Sequence, residues 1–479
     1  MVVLIGELVV LMELAVARTR CQNSLVWAIA QLNGKDDPAQ IEKITELIIQ
    51  TMTGPWRYFH TTEHIFDVGG SGETVDAIEV LAALFHDIVY VQVDHGINLN
   101  ISRFLVPFIL EENGKLTIED AASLPNDLMF EIVAAVFGFA PGEALSPFKG
   151  QNEFLSAIVA AKTLEPLLSP SLIAGIAACI EATIPFRSLS PSGLSPSEML
   201  YQRLAKANHQ YNFGWDEAQT IAMVKRAVRV TNRDVENFAF PNSADFLDNT
   251  WNLMPETNHE LSNADSYTIQ GYRRSLHKME EFMNFLKPEI VFQRFRDEPD
   301  EQTYKMLIAR TGKNLDVARL YLGVKLITIA ILEAISYRLG RGIPLSAMMG
   351  ELPKPGTITP TLDQFLPELP VVREPNTALE NEVLELLIQG RKQESIYDLK
   401  NSPVATYIIK SIGFASIEQL LKQAKAFFAG AISPTKFLCE LDSEVLNTIV
   451  NAVEQVYVNR IEALHQLRQD ATPKQVKSH

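Results

Sequence analysis

The sequence predicts an all-α protein. Three observations carry this: apolar residues recur at helical spacing along most of the chain, alternating segments of β type are scarce, and the composition is ordinary for a globular protein. With 479 residues, 47% of them hydrophobic and 21% charged, there is material for a large core and for two or three domains. The balance of 42 basic against 58 acidic residues gives a formal charge of −16. That argues against generic binding of nucleic acid or of anionic membranes, both of which need a positive field. Cys21, Cys179 and Cys439 stand far apart and form no CxxC pair. Neither a disulfide framework nor a thiolate zinc site is indicated, and a reducing cytoplasm is the expected compartment.

In chain order, the opening "MVVLIGELVVLMELAVARTR" has the apolarity of a signal peptide but no basic start, and Glu7 and Glu13 interrupt it. An amphipathic first helix is the better reading. "IEKITELIIQTM" (41–52) has helical periodicity. Pro55 can open the next segment, "GPWRYFHTTEHIFDVGG", where His60 and His64 are four apart and share a face if helical. "AIEVLAALFHDIVY" is a helix whose apolar face runs up to the pair His86–Asp87. "FLSAIVAAKTLEPLL" (154–168) and "DEAQTIAMVKRAVRVTNRDVENF" (216–238) continue the helical pattern. "LGVKLITIAILEAISYRLG" (322–340) contains Lys325 and Glu333, and its uninterrupted apolar core is too short for a membrane crossing. It reads as a buried or interface helix, and no membrane span is expected. The proline-rich stretch 351–376 reads as a linker. Amphipathic helices follow it, and the tail from Asp470 is expected to be disordered.

The chemistry sits at the histidines. Four of nine fall between residues 60 and 95, in and around apolar sequence. A buried carboxylate such as Asp87 is costly unless paired or bound to a metal. His64, His86, Asp87 and the distant Asp234, all in apolar helical contexts, form a credible ligand set for one divalent transition metal. Taken singly, each has a plainer reading: a hydrogen-bonded core histidine, a turn-capping Asp87, an Asp234 on a solvated face. Their combination favours the metal.

"RYFHTTEHI", "FHDIVY" and "TNRDVENF" together resemble the H…HD…D signature of the HD-domain metalloenzyme superfamily, and the first two are similar to predicted HD phosphohydrolases of bacteria. The resemblance covers about residues 20–245. It implies an HD-like all-α core with the metal at its centre, His64, His86, Asp87 and Asp234 as ligands, and His60 beside them. The expected organisation is a metal-binding domain over 1–245, a helical extension or lid over 246–350, the linker 351–376, and a C-terminal helical domain over 377–479.

The sequence departs from the phosphohydrolase pattern. Where those relatives carry an acidic run, this chain reads "DHGINLNISRF", with Leu99 and Asn100 in place of carboxylates. Arg57 and Arg103 are the nearest candidates for a phosphate clamp. Other polar groups stand out instead: Glu181 in a strongly apolar helix, and His209 before Tyr211, Phe213 and Trp215. Glu181 and His209 are candidates for a second metal, bridged by Asp87; the plainer readings are a Glu181–Arg187 pair and a helix-capping His209. His95, in a Gly-containing loop, is a further candidate ligand and, with His60, a candidate catalytic group.

A dinuclear centre of iron or manganese would resemble the HD-domain di-iron oxygenases, and the chain's size and motifs are similar to the cyanobacterial dimetal halogenases. That resemblance implies dioxygen-dependent oxidation or halogenation of an unactivated C–H on an aliphatic or carrier-bound fatty-acyl substrate. The alternatives are a zinc- or magnesium-type phosphohydrolase of a nucleotide or phosphate monoester, and a metal-binding module without turnover. No nucleic-acid partner is expected, and the C-terminal helices are candidates for a homodimer contact.

Overall fold

The computed structural model describes residues 2–70, 75–262, 267–340, 342–350, 360–369, 371–395 and 397–471. The described residues form 22 α-helices and one two-stranded hairpin, so the chain is all-α. It divides into two compact units, residues 1–239 with 287–311, and residues 240–286 with 312–479. The periodicity held no hint that 287–311 rejoins the first unit, and the segment expected as a separate extension, 246–350, is shared between the two. Of the expected linker, residues 351–359 and 370 lie outside the described residues, as do 472–479 of the tail.

The first unit begins with α1 (Val2–Gln31). Ala17, Cys21, Leu25 and Ala28 form a buried stripe along it, the four- and three-residue spacing of an amphipathic helix. Among the described residues no helix is long and apolar enough to cross a membrane. Next come α2 (Pro38–Met52), α3 (Thr62–Gly69) and α4 (Ala77–Phe85). The Asp76 carboxylate accepts the Ile78 N–H at the start of α4, supplying a partner that the helix itself cannot. Short α5 (Val91–Asp94) and α6 (Leu99–Leu105) lead to the antiparallel hairpin β1 (Ile109–Glu112) and β2 (Lys115–Ile118), then to α7 (Leu128–Phe137). The unit continues with α8 (Gln151–Leu164), α9 (Pro170–Ala182), α10 (Pro196–Tyr211) and α11 (Glu217–Asp234).

Helix α9 is the centre of this unit. Every residue from Ile173 to Ala182 is buried, and α4, α7, α8 and α11 pack against it. Small residues permit that approach. A Cβ at Gly175 would stand 2.7 Å from Met223 Cε of α11, so a larger residue would have to displace that side chain.

The second unit is held by a buried ion cluster. The Asp398 carboxylate accepts from Trp251 Nε1 (2.9 Å), Tyr272 Oη (2.7 Å) and Lys325 Nζ (2.9 Å). Lys325 and Glu333, the charges within the apolar core of the stretch 322–340, are thus both paired, Glu333 with Arg273 at 3.0 Å. Residues 322–336 of the stretch are buried in the helix Glu301–Ser336, and 337–340 lie beyond its end.

Candidate metal centre

Helix ends bring the centre together. His64 lies in the first turns of α3, His86 caps the C-terminus of α4 with Asp87 following, and Asp234 is the last residue of α11. The C-terminal ends of two helices carry negative partial charge, which favours a cation between them. His86 Nδ1 lies 2.8 Å from the Ala83 carbonyl oxygen, which makes Nδ1 the protonated nitrogen and turns the Nε2 lone pair inward.

His86 Nε2 is 2.9 Å from Asp87 Oδ2 and 3.4 Å from Asp234 Oδ1; His64 Nε2 is 3.3 Å and 3.1 Å from the same atoms. One ligand atom from each of the four residues lies within 4.8 Å of the others. Both Nε2 atoms and Asp87 Oδ2 are buried with no hydrogen-bond partner, so their convergence is not that of a satisfied polar core. Two imidazole nitrogens and two carboxylates fit a divalent transition metal. Among the described residues, no other group of three or more His, Cys, Asp or Glu converges in this way.

Without a cation, the cluster can only balance itself with protons. Burial alone would depress the His64 imidazole, but the facing carboxylates of Asp234 and Asp87 outweigh it and hold it at about 9. His86 is likewise raised, against burial, chiefly by Asp87. Burial pushes Asp87 up, but His86, His60 and His64 together hold it well below the usual carboxylate range. Asp234 is lowered in the same way, mainly by His64 and His86.

The surrounding residues hold the HD segment in place. Arg57 is buried, bridges Asp94 (3.0 and 2.6 Å) and donates to the Asp87 carbonyl (2.7 Å). Its guanidinium is therefore committed to the scaffold. Arg103 lies over the Phe104 ring. Neither is among the residues of the His/Asp cluster. Two residues of α8 fasten the stretch after the doublet: Ser156 Oγ accepts the Val89 N–H (3.1 Å) and Asn152 Oδ1 the Val91 N–H (3.2 Å).

The other candidates fall elsewhere. His60 sits in the bend before α3 rather than on one helix face with His64, yet their ring centroids are 5.7 Å apart and His60 packs on Tyr90 at 4.5 Å. His95, left-handed at φ 58°, is exposed and packs edge-on with Trp56. Glu181 does not join the metal ligands. It is buried and ion-paired to Arg187 (2.5 Å) and Arg203, the plainer of the two readings. His209 is exposed in the last turn of α10 and also lies outside the cluster, so Glu181 and His209 do not form a second ligand set with Asp87. At the site of the missing acidic run, Asn98 caps α6, Leu99 is exposed and Asn100 bonds Gln50.

Sequence reasoning missed Glu153 and named Arg187 only as a partner of Glu181. Burial pushes the Glu153 carboxyl up to about 8, Asp87 and Asp234 push the same way, and Arg187 opposes them. Its Oε2 is buried without a hydrogen-bond partner. The signal was present, because Glu153 opens the apolar run "FLSAIVAA" just as the HD doublet closes its own. No protein family matches the chain, and neither a characterised protein nor a solved structure matches it.

Proposed function

We propose that the protein is a divalent-metal-dependent hydrolase of phosphate esters, with His64, His86, Asp87 and Asp234 holding the metal. The observation that supports this reading most is the convergence of four ligand atoms with buried, unbonded nitrogens. A bound divalent ion at such a site acidifies water and polarises a phosphoryl oxygen. The chain supplies the rest. Asp87 and Asp234 bring two negative charges to balance the ion's two positive ones, and His86 is oriented by the Ala83 carbonyl. Glu153 places a buried carboxyl group beside the centre, in the role of the acid expected near residue 99, and is the candidate for moving a proton to or from the ester. The dioxygen-dependent oxidation or halogenation of an acyl chain rests on a second metal, and Glu181, the residue expected to anchor it, is engaged by two arginines.

The test is direct. The purified protein is expected to bind one Mn²⁺, Co²⁺ or Zn²⁺ per chain, and with it to hydrolyse members of a panel of phosphate monoesters and diesters. His86→Ala and Asp87→Ala should abolish both metal binding and turnover. Metal binding with silence across the panel, coupled to iron-dependent oxygen uptake, would overturn hydrolysis in favour of the oxidative reading.

A further inference from the structure

We propose that Arg187 is the anion anchor of the metal centre: its guanidinium is held by Glu181 so that a free Nε edge meets a phosphoryl oxygen of the substrate. The inference rests on the hydrolase reading and adds the residue that selects its ligand.

Position comes first. Arg187 belongs to the loop between α9 and α10, and three contacts tie that loop and the end of α9 to α8, which carries Glu153, and to the end of α11, which carries Asp234. A Cβ at Gly150 would lie 2.2 Å from Ile184 Cδ1, so the N-terminus of α8, one turn before Glu153, is pressed onto the start of the loop. Phe186 packs edge-on against Phe238 (centroids 5.6 Å apart), in the turn directly after Asp234. Gln293 joins the two helix ends, donating from Nε2 to the Ala182 carbonyl (2.9 Å) and exchanging hydrogen bonds with Asn232 (2.8 and 2.9 Å). The loop is therefore clamped between α8 and the end of α11.

Local conformation is the second observation. Phe186 is left-handed at φ 56°, a strained backbone for a bulky aromatic residue. Strain of this kind persists only where surrounding structure imposes it, and it is concentrated at functional sites. Here it precedes the one arginine in question.

The third observation is the bonding of the arginine itself. Nη1 and Nη2 go to the Glu181 carboxylate and Nη2 also to its carbonyl, while Nε is buried with no partner. Glu181 also accepts Arg203, whose Nε is spent on the Val136 carbonyl. Two arginines against one carboxylate leave an excess positive charge. Among the described residues no second carboxylate is ion-paired with either arginine to compensate it. An oxyanion would. Arginine suits that task because its charge-assisted N–H bonds to phosphate are directional. Glu153 lies within electrostatic reach of Arg187, Asp87 and Asp234 alike.

The experiment titrates inorganic phosphate into the full-length Mn²⁺-loaded protein by calorimetry, with Mn²⁺ binding measured separately. Arg187→Gln is expected to weaken phosphate about 10- to 100-fold while Mn²⁺ affinity stays within about twofold, since Arg187 is no metal ligand. Should that variant fail to fold, Arg187→Lys keeps the pairing with Glu181 and is expected to show a smaller loss in the same direction. Phosphate binding that is absent from the native protein, or is unaffected by either substitution, overturns the anchor whether or not metal binds. An absent Mn²⁺ isotherm overturns the metal reading instead, and phosphate binding by the metal-free protein then decides the anchor alone.

Discussion

Protons and metal compete for the same two imidazoles, and His64 gives that competition a measurable size. The perturbation is pH, applied to metal-free native protein and to His64→Gln. Burial works against protonation of His64, yet Asp234 and Asp87 lift it from the ordinary 6.5 to about 9. The folded protein therefore retains a proton that the unfolded chain releases near pH 6.5. The resulting stabilisation is complete below that pH and is lost as pH rises through about 9. The rise is 9 − 6.5 = 2.5, and at about 1.4 kcal/mol per pH unit it corresponds to roughly 3 kcal/mol. Three of the four tryptophans, Trp27, Trp56 and Trp215, lie in the first unit, so urea unfolding followed by tryptophan fluorescence reports mainly on it. Relative to His64→Gln, the native protein should lose about 3 kcal/mol between pH 6.5 and 9. Metal reverses the sign. Binding must expel the His64 proton and any proton held on His86 Nε2, so the Mn²⁺ association constant should rise by at least about tenfold per pH unit up to about pH 9. A metal-free protein whose stability relative to His64→Gln is flat or rising across that window, or an Mn²⁺ affinity indifferent to pH, would refute the reasoning.

Three further outcomes follow from the packing. Gly150→Ala places a methyl 2.2 Å from Ile184 Cδ1 at a φ of +86°, and should destabilise the first unit by about 1–3 kcal/mol in urea. Asp398→Asn leaves the buried cations Lys325 and Arg391 without their shared carboxylate. It should cost the second unit about 3 kcal/mol, read by hydrogen exchange in the helix Glu301–Ser336. Burial pushes the Cys21 thiol up to about 12 and Cys179 higher still, whereas Cys439 is exposed. A thiol reagent should therefore label one cysteine in the native protein and three after denaturation.

Much of this was written in the local sequence. Helical periodicity is a local property, and it yielded the all-α class, the buried character of 322–336 and the absence of a membrane-spanning helix among the described residues. The candidate metal ligands were legible for a related reason. His64, His86, Asp87 and Asp234 each break an apolar pattern, and an ionisable group in such a setting needs a charge partner wherever the chain goes. What local pattern cannot carry is which partner each group meets. Glu181 breaks an apolar helix just as Asp87 does, yet two arginines reach it first, and only packing decides between a cation from solution and a cation from the chain. His209 drew attention through its aromatic neighbours but faces solvent, because α10 turns its other side to the core. Glu153 and Arg187, far apart in sequence from the HD doublet and from each other, are joined by the clamping of the loop after α9 between α8 and α11. The sequence by itself determined the helices and the residue types of the candidate metal site. Tertiary structure decided which carboxylates pair with arginines and which converge with the histidines, because burial and pairing depend on contacts between segments that the linear order keeps apart.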